Sequence, residues 1–210
     1  MEPRAFLAAL PALAAVAAVA LAGCSSAPAP APAGGADTCK ANGAAYAKGP
    51  CGTDAPLPIA NYAFTGRLAG IDSPITTFHL ADYYNPDGAK PYKYLFVTVS
   101  AFWCGGCKEE AKQLNTMKDT YGPKGVFIMT DLAQKLDQQP SDQNDLDVWI
   151  KSYALQTAVV NDPDFALSRF FDVAQMPLNL VVDLKTMVIL KKFVGADLPA
   201  VLAYLDTITK

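Results

Sequence analysis

Basic charge is scarce in this chain of 210 residues: 17 Lys and Arg stand against 20 Asp and Glu, a formal net charge of −3. A nucleic-acid binder normally needs a basic face, so the composition argues against that class. Histidine is scarcer still. The single one, His79, restricts ligand-rich metal chemistry and stands in a stretch that reads as a strand. Disorder is excluded as the main state, because 51% of the residues are apolar and 18% charged. There is no internal repeat. The aspartates from Asp137 to Asp147 lack the Gly and terminal Glu of a calcium loop, and read as a solvated loop and helix start. The length allows one ordinary domain, or one domain with an appendage.

What is present begins with an apolar leader. Residues 5–22 are almost wholly Ala, Leu, Val and Phe, interrupted by Pro11. About 18 such residues is near the lower limit for a bilayer span. Their place behind Arg4 and their ending in small residues favour a signal peptide over an uncleaved anchor. Leu21-Ala22-Gly23-Cys24 resembles the bacterial lipobox, where a peptidase cuts before a cysteine that carries acyl chains. Residues 1–23 are then the signal peptide, Cys24 the lipidation site, and 24–38 a Pro/Ala-rich tether containing SSAPAPAPAGGA. The expected location is the bacterial cell envelope, facing the periplasm and held to the membrane through the lipid. Ser25 and Ser26 lack the aspartate that retains enteric lipoproteins at the inner membrane, which leans toward the outer one.

With Cys24 set aside, Cys39, Cys51, Cys104 and Cys107 remain. Export places them where disulfides persist. Four cysteines allow three connectivities, and sequence does not choose among them. Spacing favours a structural disulfide between Cys39 and Cys51, within an extension at 39–60, and a separate Cys104–Cys107 redox pair. A loop of that size is worth about 3 kcal/mol when closed, in the chain-entropy model. A four-thiolate zinc site is disfavoured because Cys39 and Cys51 are not a close pair, so no metal is expected.

The remainder, 61–210, alternates strand and helix around one core. Residues 94–101 (YLFVTVSA) have the composition of a strand buried on both faces, and 125–130 form a second. Between them Ala111, Leu114, Met117 and Tyr121 make one apolar stripe, a single helix ended by Gly122-Pro123. Leu146, Trp149, Ile150 and Tyr153 mark another helix, with Ser141 or Asp142 near its N-cap. A short strand at 157–160 precedes Asp162-Pro163, read as N-cap and first position of a helix carrying Phe165, Phe170 and Phe171. Residues 178–182 and 187–194 form a hairpin. Leu198, Val201, Leu202, Leu205 and Ile208 define a closing helix, and 62–68 with 75–80 a leading strand pair.

The chemistry lies in Trp103-Cys104-Gly105-Gly106-Cys107. A Cys-x-x-Cys between strand and helix puts its first thiol at the helix N-terminus, where unpaired N–H groups favour a thiolate. The second lies one turn further in, able to attack a mixed disulfide. Cys104 is thus expected to be the exposed nucleophile and Cys107 the buried resolving thiol. A purely structural disulfide is the plain alternative.

From Ser100 to Cys107, through Lys108-Glu109-Glu110, and at Met176-Pro177, the chain resembles the thioredoxin superfamily, in its membrane-tethered TlpA/ResA-like redoxin branch. The resemblance spans about residues 50–208. It implies an α/β thioredoxin-like fold, a central mixed sheet flanked by helices with an N-terminal strand extension. It implies a thiol–disulfide oxidoreductase without cofactor, with protein thiol or disulfide substrates and an upstream redox partner. Catalytic residues carried over are Trp103, Cys104, Cys107, Pro177 as a cis-proline facing the dithiol, and Glu110 as a proton-transfer group. Met176 and Pro177 would bind an extended substrate. Read plainly, Glu110 is a solvated helix glutamate and Pro177 a trans proline opening a strand. Thr98 replaces the buried aspartate of thioredoxins proper, and Lys112 the proline that kinks the helix, which implies a straighter one. Ala101 is not the Thr or Ser of a peroxiredoxin, and the spacing is not the Cys-x-x-x-Cys of a copper-delivery protein. A non-catalytic surface lipoprotein that uses the same fold to bind a partner is the alternative function.

Overall fold

A computed structural model describes Cys39, Tyr46, Ala47, residues 49–162 and residues 164–210. The leader, Cys24, the tether and Pro163 lie outside these residues. Among the described residues no helix is long and apolar enough to cross a membrane.

Burial on both faces makes β3 (Tyr94–Ala101) an interior strand: every residue after Tyr94 is buried. It runs parallel to β4 (Val126–Gln134) and antiparallel to β6 (Leu178–Asp183). With β1 (Ala63–Arg67), β2 (Ile75–His79), β5 (Ala158–Asn161) and β7 (Val188–Val194), they form one mixed sheet in the order β2-β1-β5-β4-β3-β6-β7. Side chains alternate between faces along each strand. Phe96 therefore shares a face with Ile128 and Val181, and Thr98 with Thr130 and Asn179. Val97, Met129 and Leu180 lie on the other face, as do Val99 and Asp131.

Helices cover the sheet: α1 (Gly105–Ala111), α2 (Leu114–Tyr121), α3 (Gln143–Tyr153) and α4 (Leu198–Ile208). In α3, Asp142 is the N-cap, accepting from Asn144 and Asp145 N–H while Asp145 returns a bond to Asp142 N–H, a capping box. Its Leu146, Trp149 and Ile150 enter the core. The Tyr121 hydroxyl lies 3.0 Å from the Asp206 carboxylate, joining α2 to α4. Cys39 and Cys51 are bridged, and Leu57 to Ile59 pair with β7 through Ile59 N–H to Met187 O and Ile189 N–H to Leu57 O.

Three expectations change. The single straight helix after the Cys-x-x-Cys is two helices, parted at Lys112 and Gln113, without a proline. Gln113 N–H reaches back only three residues, to Glu110 O at 2.8 Å, which tightens one turn while Ala111, Leu114, Met117 and Tyr121 all stay buried. The helix after Asp162 is a 3₁₀ turn, Ala166–Phe170, because Phe165 adopts a left-handed conformation (φ 46°, ψ 45°) that an α-helix cannot continue through. The second core strand runs four residues past Thr130, since Asp131 is buried rather than a strand end.

Asp131 is a cost to the fold. It is fully buried, and neither carboxylate oxygen makes a hydrogen bond among the described residues. Burial first, and then the neighbouring Asp162 charge, push its pKa well above the ordinary carboxylate range; the Asp162 backbone opposes this more weakly. A carboxyl with a raised folded pKa leaves stability intact below its unfolded pKa and removes it as pH rises toward the folded value. Asp131→Asn should therefore leave the denaturation midpoint nearly unchanged at about pH 4 and raise it at about pH 8. Urea titrations of both proteins at the two pH values check this; an equal effect at both would mean that folding does not raise the Asp131 pKa.

Candidate active site

The end of β3 sets the site. After Ala101 the chain turns, with Cys104 N–H bonded to Ala101 O at 3.1 Å, and α1 begins at Gly105. Cys104 is the N-cap, and Cys104 and Cys107 form a disulfide with Cα atoms 5.3 Å apart. The Cys107 N–H points at Cys104 Sγ from 3.0 Å. This is one of the helix's orphan donors, aimed at the atom that would carry a thiolate. The expected exposure of Cys104 is not seen: it is 4% exposed, against 1% for Cys107. Bonding to a residue one turn inside the helix draws its sulfur inward.

Trp103 is half-buried, and its indole Nε1–H donates to Gln134 Oε1 at 3.1 Å. Gln134 pairs with Ala101 at the end of the parallel β3–β4 ladder, where the register shifts by one residue past Ala133 and so delivers Gln134 to the tryptophan. Pro177 opens β6 and its peptide bond with Met176 is cis. Met176 is buried, with its N–H 3.4 Å from Val173 O.

The loop between β7 and α4 closes the opposite side. Gly195 N–H donates to Pro177 O at 2.8 Å. A Cβ built on Gly106 would stand 2.7 Å from Ala196 Cβ and 3.5 Å from Pro177 Cδ, whereas one on Gly105 would meet nothing within 4 Å. Of the two glycines, Gly106 is required by close approach.

Glu110 follows Cys107 by one turn, on the same helix face. It is 4% exposed, and its Oε2 accepts from Asn179 Nδ2 at 3.0 Å; Oε1 has no partner among the described residues. Burial pushes its carboxyl above the ordinary range, opposed by Thr98, which stands just outside hydrogen-bond geometry, and by Asn179. Thr98 and Asn179 are cross-strand partners. Glu110 is also one of the residues lining a cleft of about 470 Å³, with Gly106, Gln113, Ala196 and Leu198. Sequence reasoning missed Asn179 and Gln134. A polar residue inside the apolar run LNLVVD marks Asn179; Gln134 carries no such mark.

The sites not joined to this one are few. His79 is half-buried at the end of β2, and its backbone N–H donates to Asp82 Oδ2 at 2.8 Å. Among the described residues no group of His, Cys, Asp or Glu is arranged to hold a metal. Gly106→Ala should cost about 1–3 kcal/mol by forcing the Ala196 loop away. Gly105→Ala should be neutral or slightly stabilising, since alanine favours the helix. Denaturant melts of the two oxidised variants separate these outcomes, and equal stabilities would mean the loop yields freely.

No protein-family model matches the chain, and no curated protein matches it. Solved structures do. A structure described as a candidate thiol:disulfide interchange protein DsbE from Chlorobium tepidum is 18% identical over 74% of this chain and 97% of that one, with a TM-score of 0.56. One described as a candidate thiol-disulfide oxidoreductase from Bacteroides vulgatus is 15% identical over 74% and 91%, TM-score 0.52. An exposed lipoprotein thioredoxin from Streptococcus pneumoniae is 20% identical over 70% and 99%, TM-score 0.50. Together with the mixed sheet and the dithiol at the strand–helix junction, these likenesses establish that the chain has the thioredoxin-like fold.

Proposed function

We propose that the chain is an exported, lipid-anchored thiol–disulfide oxidoreductase that exchanges the Cys104–Cys107 pair with protein substrates. The observation that carries this reading is the Cys107 N–H aimed at Cys104 Sγ at the helix cap. In the reduced protein that donor stabilises a Cys104 thiolate, the attacking form in disulfide exchange. The thiolate attacks a substrate disulfide, joining one substrate sulfur to Cys104 and releasing the other as a thiolate. Cys107 then attacks Cys104 Sγ, restoring the internal disulfide and releasing the second substrate thiol. Run backwards, the same two steps oxidise a substrate dithiol.

Glu110 is the proton acceptor for Cys107 in this reading. Burial raises its pKa, which makes its carboxylate a stronger base toward the Cys107 thiol, and Glu110 lines a cleft that opens to solvent. Met176 and Pro177 bind the substrate strand next to the sulfurs. Trp103, held by Gln134, walls the other side. The Cys39–Cys51 bridge is structural. The lipobox at Cys24 and the tether support an envelope location. The DsbE-like and pneumococcal structures point the same way, since their descriptions name disulfide interchange and an exposed lipoprotein.

Cys107→Ser should accumulate mixed disulfides with envelope proteins, and Cys104→Ser should not. Glu110→Gln should slow release of those intermediates by about tenfold or more without preventing the first attack. Non-reducing electrophoresis with mass identification reads both. Absence of adducts on the Cys107→Ser protein would favour the non-catalytic binding module.

A further inference from the structure

A turn tied by hydrogen bonds to the residues just before Cys104 carries an apolar side chain into solvent. After Gln134 the chain doubles back: Lys135 N–H bonds to Gln139 O at 2.8 Å, Gln138 N–H to Lys135 O at 3.1 Å, and Gln134 bridges to Pro140. Gln138 takes a left-handed conformation at the tip (φ 65°). The base of this turn is fixed to the residues before Cys104. Phe102 N–H donates to Gln134 O at 3.0 Å, Trp103 to Gln134 Oε1, and Gln134 Nε2 to Gln138 O at 3.0 Å.

Leu136, on the turn, is 70% exposed, and Val148, on α3, is 52% exposed. Isolated exposed apolar residues are ordinary. These two converge on one cleft of about 360 Å³, lined by Phe102, Lys135, Leu136, Asp137, Asp145 and Val148. Phe102 packs edge-on against Trp149, at 5.2 Å between ring centres, so the cleft has a rigid aromatic side. Neither exposed residue serves the fold: a valine on a helix surface carries a propensity cost, and a leucine on a turn buries little.

The rim has a sign. Lys135 Nζ is held between Asp142 at 2.7 Å and Asp145 at 3.4 Å. Asp137 and Asp145 line the cleft with Lys135, so two carboxylates stand there against one ammonium, and Asp142 adds a third beside them. Asp147, further along α3, is paired with Arg67. The rim is therefore acidic around an apolar centre, and Phe102, which lines it, is the chain neighbour of Trp103.

We infer that this cleft docks a polypeptide segment of the exchange partner, one that presents a large aliphatic side chain flanked by Lys or Arg. The inference rests on the dithiol reading for what docking achieves: it holds the partner's sulfur near Cys104. An aliphatic side chain fills the space between Leu136 and Val148, and the flanking cations meet the carboxylates.

The test uses the mature domain carrying Cys107→Ser, with synthetic cysteine peptides activated as mixed disulfides with thionitrobenzoate. Cys104 thiolate attacks the peptide sulfur, the peptide–thionitrobenzoate bond breaks, and coloured thionitrobenzoate leaves as the thiolate. Each rate is divided by that of the same protein with the corresponding 2-mercaptoethanol disulfide. The peptides place Leu between Lys and Arg, Leu between two Glu, or Ser between Lys and Arg, at several spacings from the cysteine. The first should react about tenfold faster than the Ser peptide, matching burial of one aliphatic side chain, and faster than the Glu-flanked peptide through charge. Leu136→Asp and Val148→Asp should each remove the preference, and about 0.5 M salt should shrink the Lys/Arg-over-Glu part. Fluorescence anisotropy of the same peptides with Ser for Cys, on the oxidised wild-type domain, should give the same order. Rates within twofold of one another, or a preference that survives both substitutions, overturn the inference even if the reference disulfide reacts. Peptide preference in anisotropy with an unreactive Cys104 upholds the docking cleft and sinks the oxidoreductase reading instead.

Discussion

Everything at the site follows from the register of one strand. β3 lies between β4 and β6, buried on both faces, and its last residues cannot shift without moving the whole sheet. Parallel pairing with β4 brings Gln134 level with Ala101, within reach of Trp103. Antiparallel pairing with β6 sets Asn179 across from Thr98, under Glu110, and starts β6 at the residue after Pro177. A slip of one residue would turn each of these side chains to the opposite face. The dithiol is thus positioned by hydrogen bonds of the core rather than by a loop, which suits chemistry that needs two sulfurs, a donor N–H and a carboxyl in fixed relation.

Two buried carboxyls, on opposite faces of that sheet, show how differently the same physics is used. Glu110 keeps one amide partner, borders a cleft, and lies on the helix that carries both cysteines. Asp131 has no hydrogen-bond partner among the described residues and faces Asp162, whose own carboxylate accepts from Leu167 N–H at 3.0 Å. Burial raises both pKa values. Of the two, only Glu110 shares a helix with the cysteines; Asp131 lies on the other face of the sheet.

The strands were legible because composition and length suffice for a strand buried on both faces, as YLFVTVSA illustrates. The hairpin, α3 and the closing helix were legible from periodicity and turn chemistry, with the cap of α3 left between Ser141 and Asp142 until the structure assigned Asp142. The break at Lys112 and Gln113 was not, since the apolar stripe continues across it and the distortion is a single tightened turn. The 3₁₀ turn after Asp162 was hidden for a related reason: aromatic residues at 165, 170 and 171 fit a helix until Phe165 turns left-handed. Within the site, Cys104, Cys107 and Trp103 stood out by residue type and spacing, and Pro177 only through the resemblance. Glu110 could be read as solvated or buried, because burial depends on what the sheet places beneath it. Gln134 and Asn179 depend on register, which no local pattern encodes.

The most direct measurement is a redox titration of the folded, tether-free domain in dithiothreitol buffers, with thiols trapped by alkylation and located by mass. The account predicts one reversible two-electron step that places both alkyl groups on Cys104 and Cys107, accompanied by a change in Trp103 emission, while Cys39 and Cys51 stay joined. A Cys104–Cys107 bond that resists reduction until the domain unfolds would contradict it.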